Sequence, residues 1–295
     1  MSHPPTDFQE IAPGVWAVLT QFDGGSFEGW LGEGFAPNSG FVVGDDGVLV
    51  IDPRMFKRQA EEVAAKVAQV AGRPVRHVVN THWHNDHVFG NEGFGGATII
   101  AGRKTFEALA FLATVDIVQV WADDPIFAPV AGEIGAVNLI LPHVAFEGEL
   151  VLRVGGRRVV LRSLGGGETA DTIVAYLPEE EVLFASDVVL NGTPPYFGDP
   201  TVSVNDWIAS LEAVERMAPR VIVPGHGPLA GLDDVRRMAD DLRDYRRQVI
   251  DLACERMTPQ QIKERVRLRA YPDYPWYPRE ALLLGVDVIY KELKR

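Results

Sequence analysis

The chain lacks the features that locate a protein outside a reducing compartment. Only one cysteine, Cys254, occurs among its 295 residues, so it can form no intrachain disulfide and offers no thiolate cluster to a metal. No apolar run approaches the roughly 20 residues that cross a bilayer. The opening residues, Met-Ser-His-Pro-Pro-Thr-Asp, lack the basic and apolar segments of a secretory signal. These absences predict a cytoplasmic protein that does not bind membranes.

Positive charge is also scarce. Lys and Arg number 28 against 41 Asp and Glu, which gives a formal net charge of −13. An acidic field of this size repels phosphate backbones and anionic lipid. It therefore argues against nucleic acid as a partner, and the expected partner is a small-molecule substrate; a homodimer is compatible with the sequence. Hydrophobic residues make up 46% of the chain, which is enough for a sizeable core.

Short apolar runs alternate with stretches of helical periodicity along the chain. Strands are predicted at 14–21, 41–43, 48–52, 75–80, 97–101, 150–154, 158–161, 173–177, 182–185 and 220–223. Apolar spacing predicts helices over 56–72 and 204–218, and 103–145 is predicted to pack as helix beside the site entrance. The strands form two successive blocks closed by helices, which indicates two packed sheets. No linker divides the chain, so one domain over 1–295 is predicted, with a helical C-terminal extension at about 231–295.

The densest cluster of metal-binding side chains is Thr81-His-Trp-His-Asn-Asp-His87. His82 and His84 are two residues apart, so they leave an extended backbone on the same side. Asp86 and His87 are expected in a loop, because glycines follow closely. Histidine and carboxylate groups at this spacing are typical ligands of divalent metals, and four of them suit more than one ion.

Two further polar residues follow buried apolar runs. Asp187 comes after Val182-Leu-Phe-Ala, where an unpaired carboxylate would be costly and a metal would offset the cost. His226 lies between glycines in Pro224-Gly-His-Gly-Pro228, a loop whose backbone can approach an ion closely. Each has an ordinary explanation by itself, as a capped strand end or a satisfied loop histidine. Together with the cluster they predict one metal centre.

In these motifs the sequence resembles the metallo-β-lactamase superfamily. The similarity rests on His-x-His-x-Asp-His at 82–87, Phe-Ala-Ser-Asp at 184–187 and Pro-Gly-His-Gly-Pro at 224–228, in the family's order. It covers about residues 10–230 and implies a four-layer αβ/βα sandwich of two packed mixed sheets with helices on the outer faces. It also implies two divalent metal ions, zinc first, at the rim between the sheets. The implied ligands are His82 and His84 at site one, Asp86, His87 and His226 at site two, and Asp187 between them.

One position departs from the family pattern. Glu168, in Gly-Gly-Gly-Glu-Thr, stands where site one of the family usually has a third histidine. Either Glu168 is itself the third ligand, or site one is weakened or empty and one ion at site two is sufficient. The first alternative is favoured, because an unpaired glutamate buried in that loop would be unfavourable. Together with Asp86 and Asp187, Glu168 gives the ligand set three negative charges, which lowers the Lewis acidity of the bound ions. The additional oxygen ligand also makes manganese or iron possible beside zinc.

The resemblance implies a metal-dependent hydrolase. A hydroxide held between the two ions would attack the substrate, and Asp86 is the predicted catalytic residue because it would both bind metal and orient that hydroxide. The expected substrate is a small apolar ester, lactone, lactam or thioester, since no Lys/Arg cluster lies near the motif to bind a phosphorylated one. The alternatives are an iron-dependent oxidoreductase of the same fold, of sulfur dioxygenase or diiron type, and a non-catalytic metal-binding relic.

Aromatic residues near the motifs are candidates for the substrate pocket. Phe27 and Trp30 stand in a glycine-rich segment that could cover the site, and Tyr196 lies in Pro-Pro-Tyr-Phe-Gly-Asp. Packing onto the core explains Phe27 and Trp30 equally well. Trp83 and Asn85 alternate with the ligands, so they are expected to point away from them and brace the loop.

Overall fold

Two β-sheets lie face to face at the centre of the molecule. The computed structural model describes residues 6–20, 37–267 and 277–294, and the strands within them form a seven-stranded and a five-stranded sheet. In chain order these strands are β1 (Thr6–Ala12), β2 (Val15–Thr20), β3 (Ser39–Val43), β4 (Val48–Ile51), β5 (Val75–Asn80), β6 (Thr98–Gly102), β7 (Val144–Phe146), β8 (Glu149–Val154), β9 (Arg157–Ser163), β10 (Ile173–Leu177), β11 (Val182–Leu190) and β12 (Val221–His226).

Both sheets are mixed, as the family resemblance implies. The first contains β1 to β7 in sequence order, antiparallel from β1 to β4 and parallel from β4 to β7. The second has the order β12-β11-β10-β9-β8 and is antiparallel except for the pair β11–β12. That parallel pair brings the C-terminal ends of β11 and β12 to one edge of the sandwich.

Helices cover the outer faces of the two sheets. The described helices are α1 (Lys57–Ala71), α2 (Asn85–Val88), α3 (Arg103–Thr114), α4 (Ile117–Asp123), α5 (Ala131–Gly135), α6 (Val204–Met217), α7 (Leu232–Cys254), α8 (Pro259–Arg265) and α9 (Arg279–Glu292), with 3-10 turns at Phe89–Phe94 and Pro125–Val130. No single described helix is long and apolar enough to span a membrane. Among the described helices, only α3 and α4 taken together, with a bend of 70° between them, reach that length and composition.

Strand β4 illustrates why the layers stack. All four of its residues are buried, and alternate side chains enter different cores. Leu49 and Ile51 pack in the core between the sheets, whereas Val48 and Val50 pack in the core shared with α1. A strand covered on both faces has an unbroken apolar sequence, which is the pattern found here. Burying each of these side chains contributes about 1.5–3 kcal/mol.

Gly40 on β3 lets the two sheets approach each other closely. A side-chain carbon added at Gly40 would lie 2.0 Å from the ring of Phe184 on β11, far inside van der Waals contact. The Phe184 ring is buried in the core between the sheets. This contact holds β11, which also carries Asp187, against the first sheet.

The C-terminal helices cover the outer face of the second sheet. Leu183 of β11 packs in one core with Trp207 of α6, Leu242 of α7 and Val286 of α9. The buried Trp207 indole donates from Nε1 to the Val188 carbonyl at 2.9 Å, which satisfies its polar atom. The helical periodicity predicted after residue 231 is therefore found where the structure describes that segment. That the whole chain is one domain stays a prediction.

Strand β11 is longer than the sequence predicts. The predicted strand over 182–185 ends before Asp187, whereas β11 continues to Leu190. Its register with β12 shifts at Ser186, whose φ of 49° lies in the left-handed region. A bulge of this kind re-aims a side chain without ending the strand. Asp187 therefore projects from within the sheet, and β12 likewise extends through His226.

Candidate metal centre

Seven side chains with metal-binding atoms converge at one edge of the sandwich. They divide into two adjoining groups, within each of which the candidate ligand atoms lie within 4.8 Å of one another. The first group is His82, His84, Glu168 and Asp187, and the second is Asp86, His87 and His226. The structure thus brings together all seven residues that the sequence predicts as ligands.

The separations between ligand atoms suit groups that share an ion. In the first group, Glu168 Oε2 lies 3.7 Å from His84 Nδ1 and 4.0 Å from His82 Nε2. In the second group, Asp86 Oδ2 lies 3.2 Å from His226 Nε2. Atoms that each stand about 2.1 Å from one tetrahedral ion are about 3.4 Å apart. The donor atoms therefore fit a divalent metal in each group.

Asp187 faces the histidines of both groups. Its Oδ2 lies 3.8 Å from His82 Nε2 and 3.7 Å from His226 Nε2, and its Oδ1 lies 3.3 Å from His87 Nε2. A side chain at Gly225 would destroy this arrangement, because its first carbon would lie 1.7 Å from Asp187 Oδ1. Asp187 is therefore placed where a bridging ligand would stand.

Four polar atoms of the two groups are buried without a hydrogen-bond partner among the described residues. They are His82 Nε2, His87 Nε2, Glu168 Oε2 and Asp187 Oδ1. An unsatisfied buried polar atom costs about 1–3 kcal/mol, and more when it is charged. Cations between these atoms would satisfy all four, so the donor set fits a metal centre.

Without cations the carboxylates of the site compete for protons. Burial, together with the neighbouring Asp187, raises the pKa of Glu168 well above its ordinary value. Burial also acts to raise the pKa of Asp187, but His87 and His226 outweigh it and hold that pKa well below its ordinary value. In the metal-free site Glu168 therefore binds a proton more tightly than Asp187 does. A bound cation displaces such a proton.

The chain leaves β5 and turns almost at once into helix α2. Asp86 and His87 lie within this helix, so the prediction that they lie in a loop is wrong. The His87 amide donates to the His84 carbonyl at 3.1 Å. This single turn places the centroid of the His87 ring 4.2 Å from that of His82. The four candidate ligands between residues 82 and 87 can therefore face the same centre.

Asp52, directly after β4, supports two of the histidines and was not predicted as a site residue. Its Oδ2 accepts hydrogen bonds from His87 Nδ1 at 2.7 Å and from Thr81 Oγ1 at 2.8 Å. Thr81 Oγ1 also lies 3.2 Å from His82 Nδ1. A carboxylate on the far nitrogen of a metal-facing imidazole fixes its tautomer and its orientation. The sequence does contain a signal for Asp52, because an aspartate directly after a buried apolar strand needs a polar partner. That this partner is His87 could not be identified from the sequence.

Glu168 lies in the loop between β9 and β10, with only 3% of its surface exposed. Backbone hydrogen bonds tie this loop to its surroundings on two sides. Where the loop ends, the amide of Ile173 at the start of β10 donates to the Thr81 carbonyl at 2.9 Å, and within the loop the Gly167 carbonyl accepts from the Ser203 amide at 3.0 Å. The loop therefore holds the carboxylate against the histidines of the first group, where a third histidine stands in the family pattern.

A cavity of about 380 Å³ opens beside the ligand atoms. Five of the seven ligand-type residues line it, namely His84, Asp86, Glu168, Asp187 and His226. Its other walls are largely apolar and include Trp83, Trp121, Phe127, Leu190, Pro194, Tyr196, Pro200, Tyr277, Pro278 and Ala281. No Lys or Arg occurs among the described lining residues. The volume suits a small molecule.

The predicted pocket residues have different outcomes. Tyr196 lies on the cavity wall, and its ring centroid is 5.9 Å from that of His84. That its hydroxyl donates to a substrate stays a prediction. Phe27 and Trp30 lie outside the described residues.

Trp83 and Asn85 brace the histidine cluster, as expected. Trp83 packs against the core cluster that contains Phe56 and Phe89, and Asn85 Oδ1 accepts a hydrogen bond from the Asp86 amide at 2.9 Å. Both residues also line the cavity, with the Trp83 ring centroid 5.0 Å from that of His84, because the extended backbone with strict alternation ends where α2 begins. Trp121 of α4 also lies on the wall, as expected if the segment 103–145 packs beside the entrance.

Comparison with known proteins finds the family that the sequence motifs resemble. A family model described as the metallo-beta-lactamase superfamily matches residues 32–226. The chain is 27% identical over 274 residues to the linear primary-alkylsulfatase of Pseudomonas sp., with 80% of this chain and 51% of that protein covered. It thus spans about half the length of that relative. It is 25% identical over 232 residues to the metallo-beta-lactamase type 2 of Bacteroides fragilis, with 77% and 83% covered. A solved metallo-beta-lactamase from Pontibacter korlensis superposes with a TM-score of 0.63 at 21% identity, over 81% of this chain and 99% of that one.

Proposed function

The chain belongs to the metallo-beta-lactamase superfamily, and on that premise we propose that it is a metal-dependent hydrolase of a small apolar substrate. The observation that carries the proposal is the convergence of seven ligand-type side chains, in two adjoining groups, beside a largely apolar cavity. Two relatives are named for hydrolytic activities, an alkylsulfatase and a beta-lactamase. Their names support hydrolysis over the iron-dependent oxidation and the non-catalytic role that the sequence leaves open.

We assign the ligands of two divalent ions from the two groups. His82, His84 and Glu168 would hold one ion, Asp86, His87 and His226 the other, and Asp187 would be shared. Zinc is the first candidate, and the additional oxygen donor of Glu168 also suits manganese or iron. When bound, such ions act as Lewis acids and lower the pKa of the water that they coordinate.

Asp86 is the proposed catalytic residue of the chain itself. Burial acts to raise the pKa of its carboxyl, but His87 and His226 outweigh burial and hold that pKa well below its ordinary value. Asp86 is therefore ionised at neutral pH. Its Oδ2 faces His226, and the carboxylate lines the cavity. In this position it orients an attacking water by accepting a hydrogen bond from it.

The cavity walls favour an uncharged acyl substrate. Aromatic and proline side chains form most of the wall, and none of the described lining residues is cationic. A phosphorylated substrate would find no Lys or Arg among these residues to bind its additional charge. An ester, a lactone, a lactam or a thioester presents one polar carbonyl to the metal groups and an apolar remainder to the wall. Tyr196, at 43% exposure, is the proposed hydroxyl donor to that substrate.

A sulfate ester of an alkyl chain is the second candidate substrate. It is supported by the similarity to a linear primary-alkylsulfatase over 80% of this chain. An alkyl chain would also pack well against the apolar wall. Its anionic head would have to bind at the metal groups, since the described lining residues offer no Lys or Arg.

The test measures metal content and hydrolysis on the same preparation. We expect about two equivalents of divalent metal per chain and turnover of at least one aryl ester, lactone, β-lactam or thioester. A long-chain alkyl sulfate tests the second candidate, and a phosphodiester serves as the expected negative. A protein that holds no metal contradicts the proposal. Two bound ions without turnover would indicate a binding relic, and iron with oxygen uptake would indicate the oxidoreductase.

The charge of Glu168 leads to a prediction about pH dependence. Replacing Glu168 with histidine removes one negative charge from the ligand set, so the water coordinated by the ions becomes more acidic. We expect the acidic limb of the kcat/KM profile to move down by about one pH unit. The profile is measured on preparations with the same metal content as the wild type, and Glu149→Gln, an exposed site on β8, is the control. An unmoved limb in a fully loaded variant would refute the charge argument.

A further inference from the structure

Asp199 contacts His84 on the side away from the first metal group. Its Oδ2 lies 3.1 Å from His84 Nε2, and its side chain is completely buried. The other ring nitrogen, His84 Nδ1, faces Glu168 Oε2 at 3.7 Å. The two nitrogens of this imidazole therefore have separate roles, one toward the metal groups and one toward a buried carboxylate.

The second oxygen of Asp199 leads to the Glu168 loop. Asp199 Oδ1 accepts hydrogen bonds from both the amide, at 2.7 Å, and the hydroxyl of Thr201. The Thr201 hydroxyl in turn accepts from the Ala170 amide at 2.9 Å. Ala170 is two residues from Glu168 in the same loop. The buried Asp199 carboxylate is thus linked directly to His84 and, through Thr201 and the Ala170 amide, to the loop that carries Glu168.

We propose that Asp199 is a positioning residue that fixes the His84 tautomer, with Nδ1 unprotonated toward the site-one ion, and couples His84 to the Glu168 loop through Thr201. The inference rests on the metal centre proposed above. It concerns how the chain prepares two of its own ligands, and it holds for any substrate.

The argument for the tautomer follows from the chemistry of the two groups. An ionised carboxylate only accepts hydrogen bonds, so the nitrogen that faces it must carry the proton. In a neutral imidazole the other nitrogen is then the acceptor, free to bind a cation. Asp52 acts in the same way on His87, whose Nδ1 lies 2.7 Å from Asp52 Oδ2. Carboxylates in this position typically change metal affinity about 10–100-fold.

Asparagine at this position would reverse the hydrogen bond without emptying the space. The Thr201 amide requires an oxygen at the Oδ1 position, so the asparagine NH₂ would occupy the Oδ2 position and donate to His84 Nε2. That interaction favours a proton on Nδ1, the nitrogen that must bind metal. The corresponding Asp→Asn change beside the catalytic histidine of serine proteases acts through the wrong tautomer in the same way.

The experiment compares four variants of the full-length chain with the wild type. Asp199→Asn reverses the contact, Asp199→Ala removes it, and Thr201→Val removes the link to the Glu168 loop. Asp251→Asn, exposed on α7, makes the same charge change far from the site. Zinc affinities come from competition with a chromophoric chelator. The protected Nε2 proton of His84 is followed by NMR on the zinc-loaded protein labelled with ¹⁵N-histidine.

We expect Asp199→Asn to weaken one of the two zinc sites by about 10–100-fold and to lose the protected Nε2 proton. Thr201→Val should keep that proton and weaken the same site by less, and Asp251→Asn should match the wild type in both measurements. If Asp199→Ala does not fold, Asp199→Asn carries the test, because it preserves the hydrogen bonds to Thr201.

Wild-type affinity at both sites in Asp199→Asn would overturn the inference while leaving the metal centre intact. A zinc affinity of Thr201→Val as low as that of Asp199→Asn, with the His84 proton retained, would also overturn it, since the tautomer would not be the cause. Failure of the wild type itself to bind zinc, manganese or iron is a different result, because it refutes the proposed function.

Discussion

Replacing Asp187 with alanine is expected to prevent binding of both ions and to lower kcat/KM by about 10³-fold or more. Asp187 is the carboxylate that faces histidines of both groups, at 3.8 Å from His82, 3.7 Å from His226 and 3.3 Å from His87. Loss of any other ligand affects one group directly. The measurements are metal content after dialysis and kcat/KM on the substrate identified by the panel.

Thermal melting separates this effect from misfolding. In the metal-free state, Asp187→Ala removes the buried carboxylate that pairs with His87 and His226, so its melting transition should stay cooperative but lie below that of metal-free wild type. Addition of metal should then stabilise the wild type and leave the variant unchanged. A variant that still holds two ions and turns over substrate at the wild-type rate would contradict the assignment of Asp187.

Removal of metal is expected to abolish hydrolysis and to destabilise the fold strongly. Each ion held at a thousand times its Kd contributes about 4 kcal/mol to folding. A chain of 295 residues has an unfolding entropy of roughly 0.6 kcal/mol/K. Chelation should therefore lower the Tm by about 6–7 °C for each ion removed. Melting curves with and without a strong chelator, and after zinc is restored, measure this shift. A Tm that does not change on chelation would contradict a metal centre that contributes to stability.

The pH dependence of the metal-free protein should distinguish it from the loaded one. Burial raises the pKa of Glu168, and Asp187 raises it further. Burial acts to lower the pKa of His87, but Asp86 and Asp187 outweigh it and raise that pKa well above 6.5. The folded chain therefore holds protons that the unfolded chain releases. The stabilisation from each group is complete below its ordinary pKa and is lost as pH rises through the raised value.

We therefore expect the free energy of unfolding of the metal-free protein to fall as the pH rises from 6.5 through the raised pKa of His87. His82 acts in the opposite direction, because burial lowers its pKa below 6.5, but its effect fades as the pH rises above 6.5. The zinc-loaded protein should show the reverse slope, since protons compete with the metal for the same atoms. Denaturant unfolding at three pH values in this range measures both slopes. A metal-free protein that becomes more stable over the range would contradict the predicted charge states.

The sequence was sufficient to predict the layered fold and the candidate ligands that the structure brings together. Four candidate ligands lie within six residues and can be recognised as one cluster, namely His82, His84, Asp86 and His87. Asp187 and His226 each follow a buried apolar run. Ligand chemistry is a property of each side chain, and a buried strand such as β4 is apolar whatever its neighbours. Both signals are therefore local, and the structure brings these residues together as predicted.

Tertiary structure decided what lies around the ligands. The sequence did not indicate the edge strands β1 and β7, the bulge at Ser186 or the helical turn α2 that follows Trp83. It also gave no means of pairing Asp52 with His87 or Asp199 with His84, although the latter contact spans only 3.1 Å. Asp199 and His84 are 115 residues apart in the chain. Hydrogen bonds that fix a tautomer act within about 3 Å, and only the packing of the two sheets determines which distant side chains meet at that range.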